Sequence, residues 1–341
     1  MANLSDVAAA AGVSVSAVSR VLANSPSSRV SKQTRERILA AADALDYRPN
    51  FAARALKSSR THVLGLIIPD ITNPIFHDLL RGVEAEADRR GYVMLLARSE
   101  SMGDSDAVIR KLVGEGRVDG VLLQIDDRAM IDGVPPLHTA GLPLVFLNSV
   151  QEGGSGSVTF DDEQAAILAT EHLLALGHRR IGFIGGRRST YTSIRRHGGY
   201  VRAMSEAEVA IDEVAVSWLG YTPSEGASAL AQIMSLPEPP TALVVANINA
   251  SLGAMLEARR HGLRIPEDLS IVAIHDSSIA EVSWPPLTTV RMPWQTLGRY
   301  AVQALIHQIE HGTAQQIQVR EPEPELIVRE STAPRTIETL R

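Results

Sequence analysis

One stretch near the N-terminus combines residue types and spacing that could read a polynucleotide: Ser14-Val15-Ser16-Ala17-Val18-Ser19-Arg20-Val21-Leu22. Val18, Val21 and Leu22 stand at i, i+3 and i+4 and make one apolar face of a helix. Val15, Ser16, Ser19 and Arg20 are left on the opposite face. An arginine there can fork onto guanine O6 and N7, worth roughly 1–3 kcal/mol of discrimination, and a valine methyl can meet a thymine methyl. Upstream, Asp6 to Ala11 reads as a short Ala-rich helix stopped by Gly12, a residue suited to the positive φ of a tight helix end. Ser14 then starts the second helix, its hydroxyl placed to accept from the freed N–H groups of the next turn. Two helices so joined make a helix-turn-helix, whose second member enters the major groove by its N-terminal residues. The alternative is an ordinary surface helix with one arginine. Local charge argues against it: residues 1–62 carry nine Lys or Arg against four Asp or Glu, whereas the rest of the chain carries 24 against 35 and the total is -6. Affinity for a phosphate backbone follows local charge, not the sum.

A third helix, capped by Ser31, completes this module. Ile38, Leu39, Ala42 and Leu45 are expected to form its buried stripe, with Arg35 and Arg37 pointing elsewhere. Pro49-Asn50 breaks the pattern, and Phe51 to Lys57 is helix-capable but too short to be stable alone, so it reads as a hinge that orders on contact with DNA. From Val63 onward short apolar runs alternate with amphipathic helices. The runs are Val63 to Ile68, Tyr92 to Ala97, Gly120 to Leu123, Leu142 to Leu147, Ile181 to Ile184, Val214 to Leu219, Ala242 to Ala246 and Leu269 to Ile274. Helical patterns include Phe76 to Arg90, Asp161 to Leu176, Ser224 to Met234 and Ala250 to His261. Such alternation calls for parallel sheets covered by helices on both faces, with ligands beyond the C-terminal strand ends. The number of strands overfills one ordinary sheet, so two similar lobes are expected. The turn Gly153-Gly154-Ser155-Gly156 is expected to precede the strand and helix that open the second lobe.

Composition removes several classes. A chain of 341 residues with 45% hydrophobic content is long enough for two or three folded units. No run approaches the roughly 18–20 apolar residues of a membrane span, and the first residues lack a signal peptide's charged-then-apolar layout. A cytoplasmic protein without membrane contact is therefore expected. The absence of cysteine removes disulfides, thiolate metal sites and cysteine nucleophiles. The residues form no H-E-x-x-H and no G-x-S-x-G, and no Lys-Ser/Thr follows the glycine-rich turn, so neither catalysis nor a cofactor or metal is expected. Arg187-Arg188 and Arg195-Arg196 have the look of phosphate grips, but three of these four read as solvated side chains.

Leu4 to Leu22, then Thr34-Arg35-Glu36-Arg37-Ile38 and Tyr47-Arg48-Pro49-Asn50, resemble the LacI/GalR repressors. The resemblance runs through Gly65-Leu66-Ile67-Ile68-Pro69-Asp70-Ile71-Thr72-Asn73-Pro74, Val118-Asp119-Gly120, Gly177-His178-Arg179-Arg180-Ile181 and Pro286-Leu287-Thr288-Thr289-Val290, essentially the whole chain. It implies an all-α helix-turn-helix headpiece followed by an α/β two-lobed periplasmic-binding-protein-like domain with two doubly wound parallel sheets. The implied limits are residues 1–48 for the headpiece, 49–62 for hinge and linker, and 63–341 for an effector-binding and dimerisation domain. Within the last, one lobe takes about 63–160 and 292–322 and the other about 161–291 and 323–341. The resemblance adds Leu4, Ser14, Ser31, Asn50, Ala53, Leu56 and Lys57 to Val15, Ser16, Ser19 and Arg20 as DNA-contacting positions. Leu56 holds the place of a leucine that the family wedges into the minor groove, an insertion that unstacks a base step at a cost of a few kcal/mol. The segment between Leu22 and Val30 is longer than the family's usual turn, which puts phosphate contacts from it in doubt. The effector pocket implied by resemblance is lined by Asn73, Phe76, Asn148, Arg196, Tyr221, Asn247, His275 and Trp294.

Two departures from sugar-responsive relatives bear on the ligand: Ile248 and His275 stand where many of them carry aspartate. Carboxylates accept in pairs from sugar hydroxyls, whereas His275 and Arg196 are mainly donors. An effector less polyhydroxylated than a free hexose, or one with negative charge, is expected, unless Asp276 turns into the site or His275 is only a structural hydrogen-bonder. The leading expectation is a transcription regulator, a repressor bound as a homodimer to a pseudo-palindromic double-stranded operator and controlled by a small-molecule effector. A transporter's solute-binding protein needs export and no basic headpiece, and an α/β enzyme needs a phosphate loop or a general base in a defined motif. The tail from Arg329 to Arg341 has no leucine heptad, so a dimer, not a tetramer, is expected.

Overall fold

The protein is described here by a computed structural model covering residues 2–22, 30–48, 60–98, 114–124, 141–150 and 155–335. Asn50, Ala53, Leu56 and Lys57, and the segment after Leu22, lie outside the described residues. The chain divides into two compact units, residues 1–61 and residues 62–341.

The first unit has three helices: α1 (Leu4–Ala11), α2 (Val15–Leu22) and α3 (Lys32–Ala44). α1 begins two residues before the sequence expectation because Asn3 is its cap. The Asn3 side chain accepts from the N–H groups of Ser5 and Asp6, and the Asp6 carboxylate accepts from the Asn3 N–H at 2.8 Å, a reciprocal arrangement that satisfies three orphan donors. Gly12 turns the chain with φ of 63°, and α1 and α2 meet at 105°. Val7, Ala8, Ala11, Val18, Val21, Ile38 and Ala42 form the core. Leu39 and Leu45, expected in it, are exposed. α3 touches the other two helices through the narrow Ile38–Ala42 line; Leu39 is rotated off that line and Leu45 sits where the backbone has left the helix.

The second unit holds two six-stranded sheets. Lobe one contains β1 (Val63–Ile68), α4 (Phe76–Arg89), β2 (Val93–Arg98), β3 (Gly120–Leu123), β4 (Leu144–Leu147) and β5 (Gly156–Thr159). Lobe two follows with α5 (Asp162–Ala175), β6 (Ile181–Ile184), α6 (Tyr191–Glu206), β7 (Val216–Ser217), α7 (Pro223–Met234), β8 (Ala242–Val245), α8 (Ile248–Arg260), β9 (Ser270–Ile274), the short α9 (Ser278–Val282) and β10 (Thr288–Arg291). The chain then returns to lobe one for α10 (Trp294–His311) and β11 (Gln316–Gln318), and ends on lobe two with β12 (Glu325–Ile327). The sheet orders are β11-β5-β4-β3-β1-β2 and β12-β10-β9-β8-β6-β7. Every pairing is parallel except that of β10 with β12. β3, β4, β6, β8 and β9 are buried along their whole length, as strands covered on both faces must be.

Two expectations change. The strand after the glycine-rich turn belongs to the first sheet, not the second; only the helix after it opens lobe two, because β5 pairs with β4 and β11. The run Val214 to Leu219 yields only two strand residues behind a 3₁₀ turn at Glu213–Ala215, since Asp212 caps that turn by accepting from the Val214 N–H.

Helices in both lobes cross at glycines where backbones touch. A Cβ on Gly253 of α8 would run into the Pro223 carbonyl of α7, and one on Gly82 of α4 would run into the Gln295 carbonyl of α10. Gly253→Ala is expected to destabilise lobe two by about 1–3 kcal/mol, the cost of overpacking a contact that cannot widen freely, read as a lower midpoint in urea unfolding. An unchanged midpoint would show that α7 and α8 can part without penalty.

Candidate functional sites in the headpiece and the cleft

In the headpiece, α2 buries Val18 and Val21 and turns the other face outward: Ser14, Val15, Ser16 and Arg20 are exposed and Ser19 half-buried. Ser14 holds the start of α2, accepting from the Ala17 N–H at 3.3 Å and pairing with the Ser16 hydroxyl at 3.0 Å. Arg20 donates from Nε to the Ser16 carbonyl one turn back at 3.1 Å, which steers its guanidinium along the N-terminal part of the exposed face. Ser31 caps α3 by accepting from the Thr34 N–H, and Leu4 is packed against the small core. The result is a stiff, short helix offering hydroxyls, a methyl pair and a cation on one side.

In the second unit the eight pocket residues inferred from resemblance line a single cavity together with Ile75, Gln124 and Thr192. The topology explains the convergence. Gln124, Asn148, Asn247 and His275 stand one or two residues past the ends of β3, β4, β8 and β9, and Trp294 follows β10, so the C-terminal strand ends of both sheets meet at the cleft. Asn148 and His275 carry positive φ of 47° and 76°, an uncommon conformation outside glycine to which Asn and His are better suited than most residues. The free space is only about 30 Å³, room for roughly one water.

Arg196 occupies the floor and is 2% exposed. Its Nε donates to Asp162 Oδ1 at 2.8 Å, and its Nη2 lies 2.7 Å from the same oxygen. Nη1 donates to the Ala246 carbonyl, and Nη2 also reaches His275 Nε2 at 2.8 Å. The opposite face of that imidazole meets lobe one: Trp294 Nε1 lies 3.0 Å from His275 Nδ1. Phe160 and Phe76 hold the Trp294 ring edge-on, at centroid distances of 4.8 and 6.0 Å. Tyr221 anchors its hydroxyl on Ser193 at 2.7 Å and Thr192 at 3.1 Å. Burial, reinforced by the charge of Arg196, holds the His275 imidazole well below its ordinary range, so it is neutral.

Asp276 does not turn inward. Its carboxylate takes Thr289 Oγ1 at 2.7 Å and Arg329 Nη1 at 2.8 Å on one oxygen and Arg291 Nη2 at 2.9 Å on the other. Burial pushes that carboxyl up, but hydrogen bonds from Arg329, Thr289 and Arg291 outweigh it and hold it below the usual carboxylate range. Of the paired arginines, Arg195 meets Glu163 at 3.2 Å and Arg188 covers the Trp218 ring at 4.9 Å; only Arg196 enters the site. Sequence reasoning missed Ile75, Gln124 and Thr192. Gln124 was within reach, as the first polar residue after a buried strand. Among the described residues, no cluster of three or more His, Asp or Glu could hold a metal ion.

Residues 3–50 match the bacterial regulatory proteins of the lacI family, and residues 170–332 match the periplasmic binding protein-like domain. The chain is 31% identical over 335 residues to the HTH-type transcriptional repressor PurR of Vibrio atlanticus (strain LGP32), covering 96% of this chain and 98% of that one. It is 32% identical over 332 residues to the HTH-type transcriptional repressor CytR of Escherichia coli (strain K12), covering 97% and 96%. Among solved structures, the Lac repressor dimer bound to operator and the anti-inducer ONPF is similar with a TM-score of 0.79 and 26% identity, covering 97% of this chain and 99% of that one.

Two outcomes follow from the cleft. Arg196→Ala leaves the fully buried Asp162 carboxylate without its counter-charge and is expected to destabilise the second unit by about 3–5 kcal/mol, measured by denaturant unfolding; a loss below about 1 kcal/mol would mean that water reaches Asp162. His172, His178, His197 and His275 are all held below the ordinary imidazole range, by burial first. The unfolded chain therefore binds more protons than the native one as pH falls through the unfolded value near 6.5, and stability present above it is lost below it. The thermal midpoint is expected to fall between pH 7.5 and pH 5.5, and less steeply in His275→Asn, a residue that tolerates positive φ. An identical slope in that variant would remove His275 from the effect.

Proposed function

Because the chain belongs to the LacI family of bacterial regulatory proteins, we propose that it is a transcriptional repressor that reads an operator with its headpiece and answers to a small molecule held between its lobes. The observation that carries the DNA-binding half is the exposed face of α2. A rigid helix two turns long, set at 105° to its neighbour, presents Val15, Ser16, Ser19 and Arg20 where a major groove would meet them, on a module with a basic surplus. The effector half rests on the single cavity lined by Asn73, Phe76, Asn148, Arg196, Tyr221, Asn247, His275 and Trp294. We assign no catalytic step and no cofactor to it.

The working unit in this reading is a homodimer. The Lac repressor structure is a dimer on its operator, and here lobe two carries an open groove of about 800 Å³ lined in part by Leu252, Met255, Leu256 and Trp284. Trp284 is 86% exposed and Val282 80%, apolar surface of the kind that a second copy covers. Lobe one offers Val93, Leu95 and Leu96 on its edge strand. Two headpieces would read the two halves of an inverted repeat, with Asn50, Ala53, Leu56 and Lys57 supplying the hinge between them. The site of action is the cytoplasm; no single helix among the described residues is long and apolar enough to cross a membrane.

Selection from random duplexes at low salt is expected to enrich an inverted repeat, and Arg20→Ala to weaken binding to it about 5- to 150-fold, the equivalent of roughly 1–3 kcal/mol. The loss should concentrate at one base position in each half-site. Enrichment of no repeat, or an Arg20→Ala loss spread evenly over all sequences, would remove α2 as the reading helix.

A further inference from the structure

The cleft presents more hydrogen-bond donors than acceptors, and His275 is where the mismatch is sharpest. Trp294 Nε1 and Arg196 Nη2 are donors only. They lie 3.0 and 2.8 Å from the two nitrogens of the same imidazole. A neutral imidazole has one N–H and one acceptor nitrogen, so it can accept from one of the two neighbours and must confront the other with a hydrogen. Protonation makes the mismatch worse, and burial beside Arg196 already disfavours it.

The asparagines lean the same way. Asn73, Asn148 and Asn247 each have their side-chain carbonyl committed to a main-chain N–H, of Ile75 at 3.3 Å, Phe160 at 3.1 Å and Asn249 at 2.7 Å. These bonds fix the amide orientation, since a backbone N–H needs an oxygen opposite it. What each offers a ligand first is therefore its NH2, while the side-chain oxygens that can still accept come from Gln124, Thr192 and Tyr221. Among the described residues no Asp or Glu lines the cavity: Asp162 lies beneath Arg196, and Asp276 is turned to Arg291 and Arg329.

Resting on the effector reading above, we propose that the cleft takes a small organic anion. Its carboxylate or phosphate oxygens would accept from the Trp294 indole N–H, the Arg196 guanidinium and the asparagine amides, supplying the acceptor that His275 cannot provide to both neighbours. A neutral polyol satisfies this wall poorly, because each hydroxyl brings a hydrogen that needs an acceptor of its own. Trp294 starts α10 of lobe one, while His275 and Arg196 belong to lobe two, so an oxygen seated between them replaces a direct contact between the lobes.

The test uses the full-length protein and simple probes. Thermal shift and Trp fluorescence are followed with acetate and with phosphate against chloride at equal ionic strength. Gluconate, glucuronate and glucose 6-phosphate are then compared with glucose and cytidine. Saturable stabilisation by the anions, at least tenfold tighter than by the neutral compounds, is expected, and the sugar acids against the sugar phosphate separate carboxylate from phosphate. His275→Asp places a second acceptor beside both donors, and Trp294→Phe removes one donor while keeping the ring; each should weaken anion binding at least tenfold. Anions without effect on the wild type, equal binding by both folded variants, or a preference for neutral compounds overturns the proposal. Operator binding by fluorescence anisotropy on the same preparation keeps the two readings apart. A protein that binds its duplex but ignores every anion sinks only this inference, whereas one that binds no duplex sinks the regulator reading whatever the anions do.

Discussion

A guanidinium shut away from water must find acceptors inside the protein, because leaving one charge of a buried pair unmatched costs several kcal/mol. Lobe two is arranged around the acceptors that Arg196 finds. Asp162 is the first residue of α5, Ala246 directly follows β8, and His275 directly follows β9. Three elements distant in sequence are thereby held to one point beneath the cleft. The helix start assists, since the exposed N–H dipoles there favour a carboxylate at Asp162. Asp276, the neighbour of His275, would compete for the same cation if it faced inward; Arg291 and Arg329 hold it on the far side instead.

Trp294 extends this arrangement to the other lobe. It stands where the chain returns from the second sheet to the first, at the start of a helix packed on α4 and on β3 to β5. Phe160, next to another crossing between the lobes, packs against the same ring. Trp294 thus both lines the cavity and stands at a crossing between the lobes, so a molecule seated against it would press on that crossing directly. No long relay through the core is needed.

Much of this was legible in the sequence because the signals are local. The apolar spacing of α2, the glycine after α1 and the alternation of buried strands with amphipathic helices each fit within a window of about twenty residues. Failures came where a neighbour outside the window decides the outcome. Leu39 and Leu45 satisfy helical spacing, yet the partner helices are too short to cover them. β5 reads as the start of a new unit but joins the sheet before it through Val158 and its register with Leu147. The cavity residues were reached through family resemblance, not from spacing, since they are scattered over strand ends and helices between Asn73 and Trp294. The pairing of Arg196 with Asp162 spans 34 positions and left no local trace. Gln124 could have been found by applying to β3 the strand-end rule that fits Asn148 after β4.

With only about 30 Å³ free, the cleft described here is shut on its own side chains, and this constrains how any effector can act. A ligand of several heavy atoms enters only an open form, so its apparent affinity is its affinity for that form multiplied by the fraction of molecules open. Each tenfold preference for the open arrangement shifts the balance by about 1.4 kcal/mol, and an equal affinity for both would shift nothing. The competition of two donors for His275 works in favour of opening. The closed form sets the Trp294 indole and the Arg196 guanidinium against a single acceptor nitrogen, and separating the lobes relieves that competition even before a ligand arrives. The contact that shuts the cleft is therefore weaker than its short distances imply, which is what a switch needs if a small molecule is to move it.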